Sequence, residues 1–281
     1  MDARAGDYLK EGQSGQGPWL MCLAPRPLAA ARLFCFPYAG GGGGAFREWA
    51  EALAPALEVW AVQLPGRPPR MHEPTWTRMD SMARAVAAAL RSYSDKPFAL
   101  YGHSMGAKLG FEVARQLRRE RARQPAHLAV SGCPAAHLPI TEPPVHTLPD
   151  AEFLDKLRKL NGTPREVLEH PELMKLFAPM LRADFEAIHT YVHTPEPPLD
   201  LPISAYGGLE DDEASREELE AWREHTSAGF ILRMLPGDHF FLHSNQHLFL
   251  HTLARNLLRT PGLYVGSVAA GEAGVARRGA P

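Results

Sequence analysis

Short apolar runs alternate with helical patterns along most of the chain. Six runs predict buried strands, at residues 32–37, 57–64, 97–101, 127–131, 203–206 and 230–235. Between the early runs apolar residues recur at helical spacing, as in the Ala-rich stretch 79–93. Helical stretches of ten or more residues between strands are typical of a parallel sheet covered by helices on both faces. The predicted fold class is therefore α/β, with a mostly parallel, doubly wound sheet.

The alternation stops between about residues 143 and 198. There the apolar positions follow a helical period, and the segment ends in the proline-rich TPEPPLDLP. An all-helical insertion in an α/β domain predicts a lid. Residues 1–17 and 263–281 are rich in Gly and polar or small residues without apolar periodicity, so both are expected to be disordered tails. The expected organisation is one domain, residues 18–262, with the lid inside it.

Charge and cysteine content narrow the function classes. A net charge of −2 gives no electrostatic case for nucleic-acid binding. The three cysteines are too few and too scattered for a disulfide framework or a zinc site, and Cys35, in an apolar run, is expected to be a buried reduced thiol. No signal peptide pattern and no apolar run of bilayer length is found. A cytoplasmic protein without membrane or metal contacts is expected.

Gly102-His103-Ser104-Met105-Gly106 is a GxSxG sequence. Alone the pattern is weak, because about one chain in ten of this length should contain it by chance. Here it lies between a predicted strand and a predicted helix, where a nucleophile elbow belongs. Gly102 and Gly106 would let the strand and helix backbones pass closely, and Ser104 would project at the carboxyl edge of the sheet. The alternative is a Gly-rich turn with a capping serine.

A serine nucleophile needs a base, and in this arrangement the chain order is serine, acid, histidine. His239 follows the last predicted strand, at the sheet edge where active-site residues gather, and is the predicted base. The other downstream histidines fall in or beside helical stretches, where surface or packing roles are expected: His225, His243, His247 and His251.

The acid is expected after the preceding strand, at Glu210, Asp211 or Asp212. Asp211 is favoured because a few residues of loop after Gly207-Gly208 are needed to turn a carboxylate toward the histidine. Asp212 remains open, with capping of a helix that starts near Ser215 as its other role. Asp238 adjoins the histidine and is expected to point elsewhere.

Backbone N–H groups should stabilise the oxyanion. One is expected from Met105 and the second from the loop after the first predicted strand, at Ala39 or, failing that, Tyr38. The glycine run 40–44 lacks the Lys-Ser/Thr of a phosphate loop and the spacing of a dinucleotide fingerprint, which argues against nucleotide binding.

Five segments together resemble the type II thioesterases of the α/β-hydrolase superfamily: FPYAGGGGGAF, QLPGRPPRMHEP, YGHSMGAKLGFEVARQL, the GG-x-x-D of Gly207–Asp211, and PGDHFFL. The similarity runs from about residue 31 to 258 and implies Ser104, Asp211 and His239 as a catalytic triad. In that family proline commonly follows the aspartate. Here Asp212 stands in its place, so the resemblance leaves the choice of acid open.

The resemblance implies hydrolysis of acyl groups from the phosphopantetheine thiol of acyl or peptidyl carrier proteins. These belong to polyketide, nonribosomal peptide or fatty acid synthases, and the role is editing or release, as in antibiotic biosynthesis. No cofactor is expected beyond the phosphopantetheine that the substrate carries, and a monomer is expected. The alternatives are a general carboxylesterase or acyltransferase using the same triad, and a carrier-protein binding module without activity.

Several further residues are candidates for substrate or partner contacts. Met174 and Met180 are the better acyl-tunnel candidates in the lid, because methionine adapts its shape; the alternative is that they form the lid's own core. Tyr38 is a further substrate contact. Arg67 and Arg70 either touch substrate or brace their loop. An arginine run at the end of one predicted helix suits an acidic carrier protein, although a solvated helix end is favoured: Arg115, Arg118, Arg119, Arg121 and Arg123.

Overall fold

Seven strands form a single sheet in the computed structural model, which describes residues 18–263. They are β1 (Leu20–Cys22), β2 (Ala31–Phe36), β3 (Leu57–Val62), β4 (Phe98–His103), β5 (His127–Ser131), β6 (Ile203–Gly208) and β7 (Phe230–Leu235). Their order across the sheet is β1-β3-β2-β4-β5-β6-β7. β1 runs antiparallel to β3, and every other pair is parallel. The predicted fold class is confirmed.

All six predicted strands are present, with ends that differ by up to two residues. The largest functional difference is in β4, which continues beyond Tyr101 to His103 and therefore delivers its last residue beside Ser104. β1 was not predicted, because three residues at a sheet edge give too short an apolar pattern.

Nine α-helices connect or flank these strands within residues 18–263. They are α1 (Trp49–Ala52), α2 (Met79–Arg91), α3 (Met105–Arg119), α4 (Asp150–Leu160), α5 (Arg165–Leu168), α6 (Pro171–His189), α7 (Arg216–Glu220), α8 (Phe241–Ser244) and α9 (Gln246–Leu257). Short 3-10 helices span Gly43–Phe46, Val145–Thr147 and Ala221–His225. No helix within the described range has the length and apolar character needed to cross a membrane.

Successive residues of β2 point to opposite faces of the sheet, as a pleated strand requires. Phe34 and Phe36 pack in the core that α2 and α3 cover, whereas Leu33 and Cys35 pack in the core that α1 and α9 cover. Cys35 is fully buried, and burial raises the pKa of its thiol well above the usual range, which keeps it protonated. The central strand β2 is therefore covered on both faces, whereas the edge strand β7 keeps exposed residues such as Ile231.

The predicted helical insertion consists of α4, α5 and α6, between β5 and β6. It has a small apolar core of its own, to which Phe153, Met174 and Met180 contribute. The predicted tails at 1–17 and 264–281 lie outside the described residues. Leu263, assigned above to the second tail, is described and is only 1% exposed.

Three arginines of α3 hold the segment that follows α6. Arg118 Nη2 and Arg119 Nε each lie 2.8 Å from the Glu196 carboxylate, and Arg115 also contacts Glu196 at 3.1 Å. Burial raises the pKa of the Glu196 carboxyl, but the hydrogen bonds and charges of the three arginines outweigh this effect and lower the pKa to about 2. Arg115 is only 1% exposed, so the expectation of a solvated helix end is wrong for it. The arginines anchor the return of the insertion to the sheet.

Candidate active site

Ser104 occupies the sharp turn between β4 and α3. Its backbone has φ 53° and ψ −119°, a left-handed conformation that residues with side chains rarely adopt. The turn is fixed by a hydrogen bond from Ser104 N to Ser131 O at 2.8 Å, which continues the pairing of β4 with β5. The hydroxyl therefore stands at the carboxyl edge of the sheet, at the start of α3.

The two glycines of the motif permit this turn. A Cβ added at Gly102 would overlap the Gly106 carbonyl, and a Cβ added at Gly106 would overlap the carbonyl of Phe36 on the neighbouring strand β2. These approaches are to backbone atoms, which cannot move aside as a flexible side chain can. The close passage of strand and helix expected from the sequence is present.

His239 and Asp211 face each other across the ends of β6 and β7. His239 Nδ1 lies 3.0 Å from both carboxylate oxygens of Asp211. The Asp211 side chain is fully buried and that of His239 is 10% exposed. Every side-chain hydrogen bond that His239 makes in the described part of the chain runs to Asp211, so Nε2 remains available on the cavity side.

The loops after β6 and β7 are tied together, which sets this pair. Leu209 N donates to Leu235 O at 2.8 Å and Glu210 N donates to Gly237 O at 3.0 Å, so the parallel pairing extends beyond both strands. Glu213 N also donates to Asp211 Oδ1 at 2.9 Å. The carboxylate is thus fixed by backbone as well as by the imidazole.

The competing carboxylates lie elsewhere. Asp212 is exposed at the rim of the cavity. The helix cap suggested for it belongs to Ser215, which accepts from Glu218 N in a capping box at the start of α7. Asp238 accepts from Phe240 N at 2.9 Å and from Asn161 at 3.3 Å. Of the candidates, the structure brings Asp211 alone against His239.

Two backbone N–H groups line the cavity near Ser104. Met105 N begins α3, and Ala39 lies in the loop after β2. Neither N–H donates to another protein group in the described chain, so both can donate to an oxygen in the cavity. Tyr38, the fallback, instead forms part of the wall, with its hydroxyl 3.1 Å from His243 Nε2.

A buried ion pair holds the glycine-rich loop that carries Ala39. Asp184 of α6 accepts from Gly40 N at 2.8 Å and binds Arg67 at 2.6 and 2.9 Å. Arg67 Nη1 also donates to Gly41 O at 2.8 Å. Asp184 is 1% exposed. Arg67 and Arg70 both brace loops: Arg70 Nη1 donates to Gln63 O at 2.7 Å.

His103 lies against the imidazole of His239. Its ring centroid is 4.8 Å from that of His239, and its Nδ1 lies 2.9 Å from Ser131 Oγ. Burial, with smaller contributions from His239 and His243, lowers the pKa of His103 well below its usual range. The neutral ring supports His239 without competing for a proton.

Ser104 and His239 open onto one cavity of about 330 Å³. Its walls come from the sheet edge and the insertion, the latter contributing Leu157, Leu181, Phe185 and Ile188. Met174 and Met180 are not among its walls; they lie in the insertion's own core, in one apolar cluster with Phe153 of α4 and Leu168 of α5. The described residues contain no group of three or more side chains arranged to hold a metal ion.

The model of the thioesterase domain family matches residues 31–258. The chain belongs to the thioesterase family. The match spans β2 to α9 and so includes Ser104, Asp211 and His239, and the resemblance to the type II thioesterases is confirmed.

Similar proteins cover nearly all of this thioesterase domain. LgrE of Brevibacillus parabrevis, named a linear gramicidin dehydrogenase, is 46% identical over 85% of this chain and 92% of its own. The RedJ thioesterase of the prodiginine pathway in Streptomyces coelicolor has a TM-score of 0.78 at 41% identity, over 83% of this chain and 88% of RedJ. YbtT, a type II thioesterase of the yersiniabactin pathway, has a TM-score of 0.79 at 33% identity, covering 88% of this chain and all of YbtT.

Sequence reasoning missed two features of this thioesterase. Asp184 lies among apolar residues on the buried face of α6, and a lone carboxylate on such a face signals a buried partner. His243 is exposed and stacks on Phe240, as the expected surface or packing role requires, but its Nε2 contact with the Tyr38 hydroxyl was not foreseen. Nothing in its helical spacing indicates that contact, which depends on how α8 meets the loop after β2.

Proposed function

We propose that the protein hydrolyses acyl thioesters from the phosphopantetheine arm of acyl or peptidyl carrier proteins, with Ser104, His239 and Asp211 as its triad. The observation that carries the proposal is the strained Ser104 turn opening onto the same cavity as an imidazole held by a fully buried carboxylate. This geometry is shared by serine hydrolases in general, and the match to the thioesterase family favours a thioester as the substrate.

The first half of the reaction is acyl transfer to Ser104. Asp211 accepts a hydrogen bond from the Nδ1–H of His239. This bond fixes the tautomer in which Nε2 of His239 is free to take a proton. His239 removes the Ser104 proton as Oγ attacks the thioester carbonyl. The tetrahedral intermediate collapses by breaking the C–S bond, and the pantetheine sulfur leaves as a thiolate that takes up the proton.

The second half releases the acid. A water loses a proton to His239 Nε2 and attacks the acyl-enzyme carbonyl. Collapse then breaks the bond to Oγ, which regains the proton, and a carboxylic acid leaves. The N–H groups of Met105 and Ala39 donate to the oxyanion in both halves, and because a thiolate leaves readily, this stabilisation is the main demand on the site.

No side chain of this mechanism calls for a metal or bound cofactor, since the pantetheine arrives on the substrate. The partner is a carrier protein of a polyketide, nonribosomal peptide or related synthase, as the pathways named for RedJ and YbtT suggest. We further propose that the protein is a monomer, that it acts in the cytoplasm, and that its role is editing or release.

The test against a general esterase compares two substrates of equal acyl length. We expect kcat/KM to be far higher for an acyl-carrier-protein thioester than for the matching oxygen ester. A preference for the oxygen ester would contradict the proposal. A carrier-binding module without activity would hydrolyse neither substrate, and Ser104→Ala would then change nothing.

The name of LgrE raises a second candidate, a dehydrogenase. That chemistry needs a nicotinamide cofactor, and the loop after β2 does not have the glycine spacing of a dinucleotide fingerprint. The loop is instead bound by Asp184 and Arg67. Consumption of NADH or NADPH with an acyl thioester would favour this second candidate; we expect none.

A further inference from the structure

A lysine lines the cavity one helical turn beyond Ser104. Lys108 lies in the first turn of α3, four residues after Ser104, which stands at the N-terminus of that helix. Lys108 is only 5% exposed, and it borders the same cavity as Ser104. No step of the proposed mechanism uses it.

The Lys108 ammonium has no anionic partner among residues 18–263. It makes no salt bridge and no side-chain hydrogen bond there; its polar contact is the face of Tyr191, whose ring centroid is 5.5 Å from Nζ. That ring is itself fixed, because the Tyr191 hydroxyl donates to Glu112 at 2.8 Å and Glu112 pairs with Arg115. The ammonium is therefore held in place without being neutralised.

The other cavity lysine shows the contrast. Lys156 Nζ lies 3.1 Å from Glu213 and 3.2 Å from Glu142, so its charge is already balanced. Glu218, a further carboxylate at the cavity, accepts from both Ser215 N and Ser215 Oγ at 2.8 Å. Among the described cavity residues, Lys108 is the cation whose donors are unused.

An ammonium removed from water keeps three N–H donors that need acceptors. The tyrosine ring offers a weak electrostatic attraction but no lone pair. The nearby walls include Cys133 and, from the end of α6, Ile188 and His189, so this part of the cavity lies beneath the insertion. Because Lys108 lines the cavity, its donors bind whatever fills that cavity, which is water in the free protein and the acyl part of the substrate once this is bound.

We propose that Lys108 forms a subsite for an oxygen on the acyl chain, close to the thioester carbonyl. The protein would then prefer acyl groups with a hydroxyl, keto or carboxylate oxygen near carbon 3 over plain alkyl chains. The cavity of about 330 Å³ is at the small end for ligand sites and suits a short chain. This inference rests on the proposed thioesterase function.

The experiment compares 3-hydroxybutyryl, malonyl and butyryl thioesters of N-acetylcysteamine, with the wild-type protein, Lys108→Met and Lys156→Met. Methionine keeps the length and apolar stem of lysine and removes the charge. We expect Lys108→Met to lower the kcat/KM ratio of an oxygenated to the butyryl substrate by about tenfold or more, as loss of a charged hydrogen bond requires. Comparison of the 3-hydroxybutyryl and malonyl substrates shows whether Lys108 binds a neutral oxygen or a carboxylate. Lys156→Met should leave both ratios within about twofold.

Two results would overturn the subsite. If Lys108→Met leaves the ratios unchanged, the ammonium does not read the acyl chain. If it lowers kcat/KM equally for all three substrates, it contacts the shared pantetheine-like arm or the scaffold instead.

Failure of the proposed function is seen separately. If the wild-type protein hydrolyses none of the thioesters, the function fails, and the subsite is then judged by calorimetric binding of 3-hydroxybutyrate, malonate and butyrate. Tighter binding of an oxygenated acid that Lys108→Met abolishes would uphold the subsite; equal binding of all three acids, or selectivity that the variant retains, would refute it.

Discussion

Ser104 holds a backbone conformation that costs energy, of the order of 1–3 kcal/mol for a residue with a side chain. Contacts of the surrounding structure offset this energy. They are the hydrogen bond from Ser104 N to Ser131 O, and the close packing of Gly102 on Gly106 and of Gly106 on Phe36. The strain keeps the hydroxyl at the mouth of the cavity with little rotational freedom in the backbone beneath it.

Asp211→Asn is expected to lower kcat by about 10³–10⁴-fold, because the amide favours the wrong tautomer of His239. Asp212→Asn, which changes an exposed neighbour in the same way, is the matched control and should retain activity within a few-fold. Steady-state turnover of an acyl thioester, with thermal unfolding to confirm the fold, measures both. Loss of activity in the Asp212 variant alone would transfer the acid role to that residue.

At this scale the sequence predicted which candidate residues the structure brings together, but it did not predict the side chains that surround them. Ser104 and His239 follow from motif and chain order, because each sits just after a strand that the apolar pattern reveals. The choice of Asp211 over Asp212 depends on one residue of loop geometry, which no periodicity encodes. Lys108 was invisible in the helical pattern of α3, since only the cavity shows that its buried ammonium lacks a carboxylate.

Among the elements, α6 is coupled to the loop after β2 through Asp184 and Arg67. Both side chains are at least 96% buried, and together they hold Gly40 N and Gly41 O. Movement of α6 away from the sheet would release the loop that carries Ala39. The position of the insertion is thereby linked to the placement of Ala39, whose N–H we propose as an oxyanion donor.

Asp184→Ala should destabilise the fold by about 3–5 kcal/mol, because the Arg67 charge is left buried without its partner. Adding Arg67→Met should restore most of the lost free energy of unfolding. Turnover should be low in both the single and the double variant, because Gly40 N and Gly41 O lack their partners in each. Urea unfolding and kcat on a thioester measure the two effects. Recovery of full turnover in the double variant would show that the ion pair serves stability alone.

The strands and helices of the body were predictable and the contacts of the insertion were not. Strands β2 to β6 are buried and give continuous apolar runs, and the edge strand β7 keeps an apolar run although part of it is exposed, so these six of the seven strands were found within two residues of their ends. Helical periodicity revealed that the segment 143–198 contains helices, but the face that each helix turns to the cavity depends on tertiary packing. That is why Leu181 and Phe185 line the cavity in place of Met174 and Met180.

Over the whole molecule, several buried histidines make stability depend on pH. His127 bridges β5 to Ser204 and Thr260 at 2.7 and 2.8 Å, and burial lowers its pKa to about 4 from an ordinary 6.5. His225 behaves alike, with burial and the neighbouring His137 and His193 lowering its pKa to about 3. The unfolded chain binds protons at these sites before the folded chain does.

Stability should therefore fall as pH decreases from about 6.5 toward 4, and be fully present above that range. His127 alone should contribute a loss of about 2 kcal/mol between pH 7 and pH 5. His127→Gln should be less stable at pH 7 but should lose less on acidification. Urea unfolding at the two pH values tests this, and an equal loss in wild type and variant would contradict it.

The proposed function requires that Ser104 accept the acyl group of a carrier-bound thioester. The most direct measurement mixes the protein with butyryl acyl carrier protein and follows both chains by rapid-quench intact-mass spectrometry. We predict a transient butyryl adduct that maps to the peptide containing Ser104, followed by free butyrate and the unloaded carrier thiol. In Ser104→Ala the adduct should be absent and the carrier should stay acylated. Hydrolysis at the wild-type rate by that variant, or an adduct on another residue, would contradict the account.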